Sequence, residues 1–188
     1  GNVGRKLLEV LERTNFEFSE IYLIASDKSV GKKITFKNKN HSVIGLSDFD
    51  FGKVKLAFFS AGSSIAEKWA PIAAKKTIVI DNSKYFRMDK EIPLVVPEVN
   101  GEALKAYKNK NIIANANCST IQLVLALKPL HDQFKIKRVI VSTYQSVSGA
   151  GKVHMNELEE QSKLVLEKQK VNSKNFTKQI AFNVIPHI

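Results

Sequence analysis

The sequence has 188 residues, 44% hydrophobic and 25% charged, with one cysteine. That length suits one domain, or one and part of a second, at roughly 100–200 residues per domain, and the single cysteine excludes an internal disulfide and a multi-cysteine zinc site. No apolar run reaches the roughly 18 residues of a spanning helix, and the net charge of +11 raises the question of a polyanionic partner.

The first pattern is Gly1-Asn2-Val3-Gly4 followed by Arg5–Arg13, whose leucines and valine at 7, 8, 10 and 11 mark one face of a helix. Glycines there suit the second half of a strand–turn–helix phosphate loop, or simply a loose segment before a helix. Ile21–Ala25 and Val54–Phe59 are short continuous apolar runs, as strands buried on both faces would be. Ser63–Lys76 reads as a helix with Pro71 as a possible kink. Thr77–Ile80 and Leu94–Val96 read as strands, with Gly101–Lys108 as a helix. Ile112–Ala114 is a further strand, followed by the apolar helix Ser119–Phe134. Ile136–Tyr144 reads as a long strand, Lys152–Lys170 as an amphipathic helix and Val171–Lys178 as a polar loop. Strands alternating with helices of this size predict an α/β fold built of βαβ units around a parallel sheet.

Cys118 stands at the expected junction between the strand ending near Ala114 and the helix beginning near Ser119. A thiol at a helix N-terminus meets unpaired N–H groups and the positive end of the helix dipole, which favour thiolate. The same N–H groups can hold an oxyanion. The competing reading is a small buried apolar residue. Polar neighbours Asn115, Asn117, Ser119 and Thr120 weigh against an apolar niche, and they equally suit helix capping.

Asn115-Ala116-Asn117-Cys118-Ser119-Thr120 resembles the active-site cysteine segment of the aspartate-semialdehyde dehydrogenase family. The likeness extends along nearly the whole chain. Gly1–Gly4 is similar to the end of that family's nucleotide loop, and Ala25–Gly31 to the segment after its second strand. Phe59-Ser60-Ala61-Gly62 is similar to a cofactor-contacting loop. Asp81-Asn82-Ser83, Phe86-Arg87-Met88 and Val96–Asn100 resemble the stretch before the cysteine, and Tyr144–Gly151 the stretch after it. The resemblance implies a Rossmann-like parallel-sheet domain over residues 1–117, without its first strand. Over residues 118–188 it implies part of an α+β catalytic and dimerisation domain.

It further implies NADPH-dependent reductive dephosphorylation of L-4-aspartyl phosphate to L-aspartate 4-semialdehyde. The reaction is reversible and serves lysine, methionine and threonine synthesis. Cys118 matches the nucleophile, because a thiolate both attacks and leaves well. Asn117 matches a residue that positions the acyl group, and Gln145 a substrate-contacting amide. Arg87 matches a phosphate-gripping residue whose planar fork suits an oxyanion. By the same match, Gly1, Asn2, Val3, Ser26, Lys28, Ser29, Ser60, Ala61, Gly62, Ser148 and Gly149 are cofactor-binding. Hydroxyl and basic groups after the second strand cradle a 2′-phosphate, whereas an acid there accepts from a free 2′-hydroxyl. Ser26, Lys28 and Ser29 favour NADP. The family commonly has arginine where Lys28 stands, so looser discrimination is expected.

The family's acid–base histidine and carboxylate-binding arginine lie beyond the glutamine motif and have no counterpart here. His131 is 13 residues down the helix from Cys118, roughly 20 Å away at 1.5 Å per residue. His41, His154 and His187 show no metal-ligand spacing with it. The expectation is that the chain is the middle of a longer, cytoplasmic, homo-oligomeric enzyme (dimer or tetramer) and inactive alone. Its partners are aspartyl phosphate, aspartate semialdehyde and phosphate, with no nucleic acid and no membrane.

Two rivals remain. An N-acetyl-glutamyl-phosphate reductase would use the same cysteine logic, although the Cys118–Gln145 spacing and the Arg87 segment favour the aspartyl enzyme. A basic nucleic-acid-binding module would need clustered basic and aromatic residues. Of the 29 basic residues, 25 are lysines scattered along the chain and 4 are arginines, which reads as a solvated surface. Ser146–Val153 lacks the first glycine of a P-loop and the hydroxyl residue after its lysine.

Overall fold

The structure is a computed structural model and describes residues 1–186. His187 and Ile188 lie outside the described residues. The chain forms two compact units, Val3–Ile140 and Gly1–Asn2 with Val141–Ile188.

In the larger unit, α1 (Asn2–Arg13) begins three residues earlier than its apolar face suggested, so Asn2, Val3 and Gly4 make up its first turn. Their N–H groups are among those a helix leaves without an intrahelical acceptor. The strand β1 (Leu23–Ala25) pairs in parallel with β3 (Lys39–Gly45), which pairs antiparallel with β2 (Lys33–Phe36). Lys37 and Asn38, at φ 46° and 61°, close that hairpin as a two-residue turn whose left-handed backbone matches strand twist. The hairpin was not expected from the apolar pattern.

A second sheet holds β4 (Leu56–Phe59), β5 (Ile78–Asp81), β7 (Ile112–Asn115) and β6 (Leu94–Val95), in that spatial order and all parallel. The strands expected at Ile21–Ala25, Val54–Phe59, Thr77–Ile80, Leu94–Val96 and Ile112–Ala114 therefore exist, distributed over two sheets. The helix α2 (Ser63–Ala74) lies on the second sheet through Ala66, Ala70, Ala73 and Ala74, all buried. Small residues at i, i+4, i+7 and i+8 let the helix approach closely, and Phe51, Phe59, Val79, Phe86 and Ile112 complete the core. Pro71 sits inside α2 without ending it. After β6, the short α3 (Pro97–Asn100) leads into a 3₁₀ helix, Gly101–Asn109, where an α-helix was expected. The long helix α4 (Cys118–Phe134) follows β7.

The expected strand Ile136–Tyr144 is a correction. These residues adopt no strand, and Ile140 and Tyr144 are 85% and 84% exposed. An apolar run raises strand propensity, but a strand exists only with a ladder partner, and none pairs with it among the described residues.

In the smaller unit, a 3₁₀ turn (Val147–Ala150) leads through Gly151, at φ 96°, into α5 (Lys152–Leu166). The polar segment after α5 contains no helix or strand, yet it is tightly held. The buried Glu157 carboxylate accepts from the backbone N–H groups of Lys174 (2.8 Å) and Asn175 (2.7 Å) and from Asn175 Nδ2 (2.6 Å). One turn later, Gln161 Oε1 accepts from the N–H groups of Ile180 (2.8 Å) and Ala181 (3.2 Å). The Gln161 Nε2 donates to Glu157 Oε1 at 2.9 Å. Two buried polar side chains on one helix thus replace the hydrogen bonds a sheet would have given this loop.

Candidate active site

In a parallel sheet, loops that leave the C-terminal strand ends gather at one edge, where such folds bind ligands. Three of the matched segments lie there. β4 ends at Phe59, before Ser60-Ala61-Gly62. β5 ends at Asp81, before Asn82. β7 ends at Asn115, two residues before Asn117-Cys118.

Cys118 is the first residue of α4 and is exposed, so it is not the small buried residue that was the alternative. Asn117 caps the helix, its Oδ1 accepting from the N–H groups of Ser119 (3.0 Å) and Thr120 (3.3 Å). The cap settles which end of the Asn117 amide faces the helix and makes Nδ2 the donor end.

Arg87 is half-buried beside this edge. Its Nε donates to the Asn115 carbonyl at 2.9 Å and its Nη2 to the Asn82 carbonyl at 3.1 Å. Two carbonyl anchors orient the guanidinium without neutralising it, so its charge stays available to an anion. Below it, buried Asp81 accepts from Ser83 N (3.1 Å) and Ser83 Oγ (2.6 Å), which shapes the turn from β5 to Arg87. Asn82 carried no assigned role in the sequence, and Asn115 only that of a polar neighbour suited to capping. Both hold Arg87 through main-chain carbonyls, which side-chain chemistry in a sequence does not display.

The residues matched to cofactor binding are distributed over both units. A Cβ placed on Gly4 would stand 3.9 Å from Ser60 Oγ, so the first turn of α1 lies beside the loop after β4. Gly62, at φ 91°, precedes α2, and an added Cβ there would meet nothing within 4 Å. The N-terminus of α2 is thus open at Gly62, as close approach of a phosphate to a helix N-terminus requires. Ser26 precedes a 3₁₀ turn, Asp27–Ser29, at the end of β1. Lys28 is exposed there. Asp27 Oδ1 stands 3.7 Å from where a Gly45 Cβ would sit, beside Asp48, so this carboxylate leans toward β3. In the smaller unit, Ser146 Oγ accepts from Ser148 N (3.3 Å) and pairs with Ser148 Oγ (2.9 Å), and Gly149 N donates to Ser146 O (3.1 Å). Gln145 Nε2 approaches Thr143 Oγ1 at 3.4 Å in the same unit.

Residues 1–107 match the family described as semialdehyde dehydrogenase, NAD binding domain, and residues 127–188 match semialdehyde dehydrogenase, dimerisation domain. The chain is 48% identical over 189 aligned residues to an aspartate-semialdehyde dehydrogenase of Shewanella violacea, covering all of this chain and 56% of that protein. Among solved structures, aspartate semialdehyde dehydrogenase II of Vibrio cholerae, complexed with ASA, is 49% identical with a TM-score of 0.95 over 99% of this chain and 56% of its own. The NADP-bound enzyme of Candida albicans is 30% identical with a TM-score of 0.60, over 71% of this chain and 45% of its own. The chain thus spans about half the length of the curated relatives it matches. On these matches and this parallel-sheet edge, the chain belongs to the semialdehyde dehydrogenase family.

Proposed function

We propose that the protein containing this chain is an aspartate-semialdehyde dehydrogenase, which reversibly converts L-4-aspartyl phosphate to L-aspartate 4-semialdehyde with NADPH in lysine, methionine and threonine synthesis. The observation that carries the reading is Cys118, exposed in the first turn of α4, on the same sheet edge as the carbonyl-anchored Arg87.

The Cys118 thiolate attacks the acyl carbon, a C–S bond forms, and the C–O bond to phosphate breaks. The N–H groups of the α4 first turn and Asn117 Nδ2 stabilise the carbonyl oxygen as it gains charge. Arg87 holds the phosphate before and after it leaves, and Gln145 orients the aspartyl group. NADPH, when bound, supplies the hydride that reduces the thioester. Hydride addition would leave a thiohemiacetal oxyanion on Cys118, held by the same α4 N–H groups, and its collapse would release aldehyde as the C–S bond breaks and Cys118 regains its thiolate. The first turn of α1, Ser60–Gly62, Ser26, Lys28 and Ser29 would hold the cofactor phosphates, and Ser148 and Gly149 its nicotinamide end. We further propose that the catalytic domain begins at Cys118, that the enzyme works as a homo-oligomer, and that it resides in the cytoplasm. The match of residues 127–188 to a dimerisation domain supports self-association.

The test is phosphate-dependent formation of NADPH from aspartate semialdehyde by the full-length protein. Turnover with this substrate in preference to N-acetyl-glutamate semialdehyde is expected, and the reverse preference contradicts the reading. Cofactor choice has its own test. Lys28→Ala is expected to lower the NADP/NAD ratio of kcat/KM about tenfold, as loss of one charge-assisted phosphate contact would. An unchanged ratio removes Lys28 from the 2′-phosphate site.

A further inference from the structure

We propose that Asn82 is a positioning residue that ties the Ser60–Gly62 loop to Arg87 and thereby couples cofactor binding to phosphate binding. The proposal rests on the assignment of those two segments to cofactor and phosphate. Asn82 follows the last residue of β5, the strand between β4 and β7. Its backbone N and its Nδ2 both donate to the carbonyl of Phe59, at 2.9 and 3.1 Å. Phe59 is the residue directly before Ser60. On the other side, Asn82 Oδ1 accepts from Asn115 Nδ2 at 2.7 Å. Arg87 closes the ring, through Nη2 to the Asn82 carbonyl and Nε to the Asn115 carbonyl.

The Asn82 amide therefore joins the ends of three adjacent strands, and its main-chain carbonyl holds the arginine. An amide does this from two separate atoms of one short side chain, Nδ2 donating toward β4 while Oδ1 accepts from β7. Neither bond is needed to complete a sheet ladder. A ligand that shifts the loop after Phe59 pulls on Asn82, and Asn82 carries one of the two carbonyls that orient Arg87. By thermodynamic reciprocity, an anion drawn onto Arg87 must then change affinity for a ligand on the Ser60 loop by the same factor.

The experiment uses the full-length protein, with Asn82→Asp as the main variant. Aspartate keeps the size and the acceptor toward Asn115 but loses the donor to Phe59. NADP is titrated with and without inorganic phosphate, a measurement that needs no turnover and so judges Asn82 separately from the enzymatic assignment. The parent is expected to change its NADP affinity about fivefold on phosphate addition, within the usual range of couplings, and Asn82→Asp is expected to abolish that change. In steady state, Asn82→Asp is expected to raise the KM for phosphate about tenfold while kcat stays within about threefold. In an Arg87→Lys background the same substitution should then add less than about twofold, because it acts through the arginine. A parent without a phosphate effect overturns the proposal. So does an equal effect in parent and variant, or the same factor in both arginine backgrounds. If Asn82→Asp does not fold, Asn115→Ala removes only the amide arm of the ring, and an unchanged phosphate KM in that variant overturns the proposal equally.

Discussion

Cys118→Ser in the full-length protein is expected to lower kcat/KM for aspartate semialdehyde by about 10⁴-fold or more, the scale seen when a covalent nucleophile is removed. Serine keeps the shape of the first turn of α4 and leaves the Asn117 cap in place, so the fold should persist and melting should shift little. NADP affinity should also persist, because the cofactor segments at α1, the β1 turn and the β4 loop do not involve the thiol. The combination separates a chemical role from a structural one. A variant that keeps a tenth of the parent rate would mean that a group other than this sulfur carries the acyl chain.

The second large effect is on stability. Glu157→Gln is expected to destabilise the fold by about 3 kcal/mol, because at least one buried N–H donor of the loop then faces an amide NH₂ in place of a carboxylate oxygen. Glu157→Ala should cost more, since it strands all of those donors. The same group predicts a pH dependence. Burial pushes the Glu157 carboxyl up, but the N–H groups of Lys174, Asn175 and Phe176 and the Asn175 side chain outweigh it and hold the carboxyl below its ordinary range. A depressed folded value means that stability from this group is complete above the unfolded glutamate value of about 4.3 and is lost as pH falls through it toward the lower folded value. Thermal melting followed from pH 7 to pH 3 should show the parent losing an increment that Glu157→Gln never had. Parallel curves for the two proteins would exclude Glu157 as the titrating clamp.

The comparison of pattern with structure divides along a physical line. Strands β4, β5 and β7 were legible because Leu56–Phe59, Ile78–Asp81 and Ile112–Asn115 carry nearly unbroken apolar runs, although burial is complete on one face only and Phe58 is exposed. The β2–β3 hairpin was not legible. Phe36 and Val43 are buried on one face, while the exposed face carries Lys33, Thr35, Asn40 and Ser42, and the turn needs a left-handed Lys37 as well as Asn38. Ile136–Tyr144 shows the opposite error, since local propensity registers β-branched residues but not whether a partner strand exists. At the site, the place of Cys118 at the start of α4 was legible because Asn117, directly before it, is a capping residue with a local geometric consequence. The Arg87 anchors were not, because Asn82 and Asn115 are distant in sequence and meet only when β5 and β7 lie side by side. The Glu157–Gln161 clamp was hidden for a related reason. On a helix that reads as amphipathic, a glutamate and a glutamine four residues apart look like solvated surface. Burial by the following loop turns them inward.

Capture of the covalent intermediate decides whether Cys118 carries the acyl group. The full-length protein is incubated with aspartyl phosphate in the absence of NADPH, quenched in acid and digested. An aspartyl thioester is expected on the peptide that contains Cys118, removable by hydroxylamine and absent from Cys118→Ser. Phosphate release with no acyl group on that peptide, or an acyl group on any other residue, would contradict it.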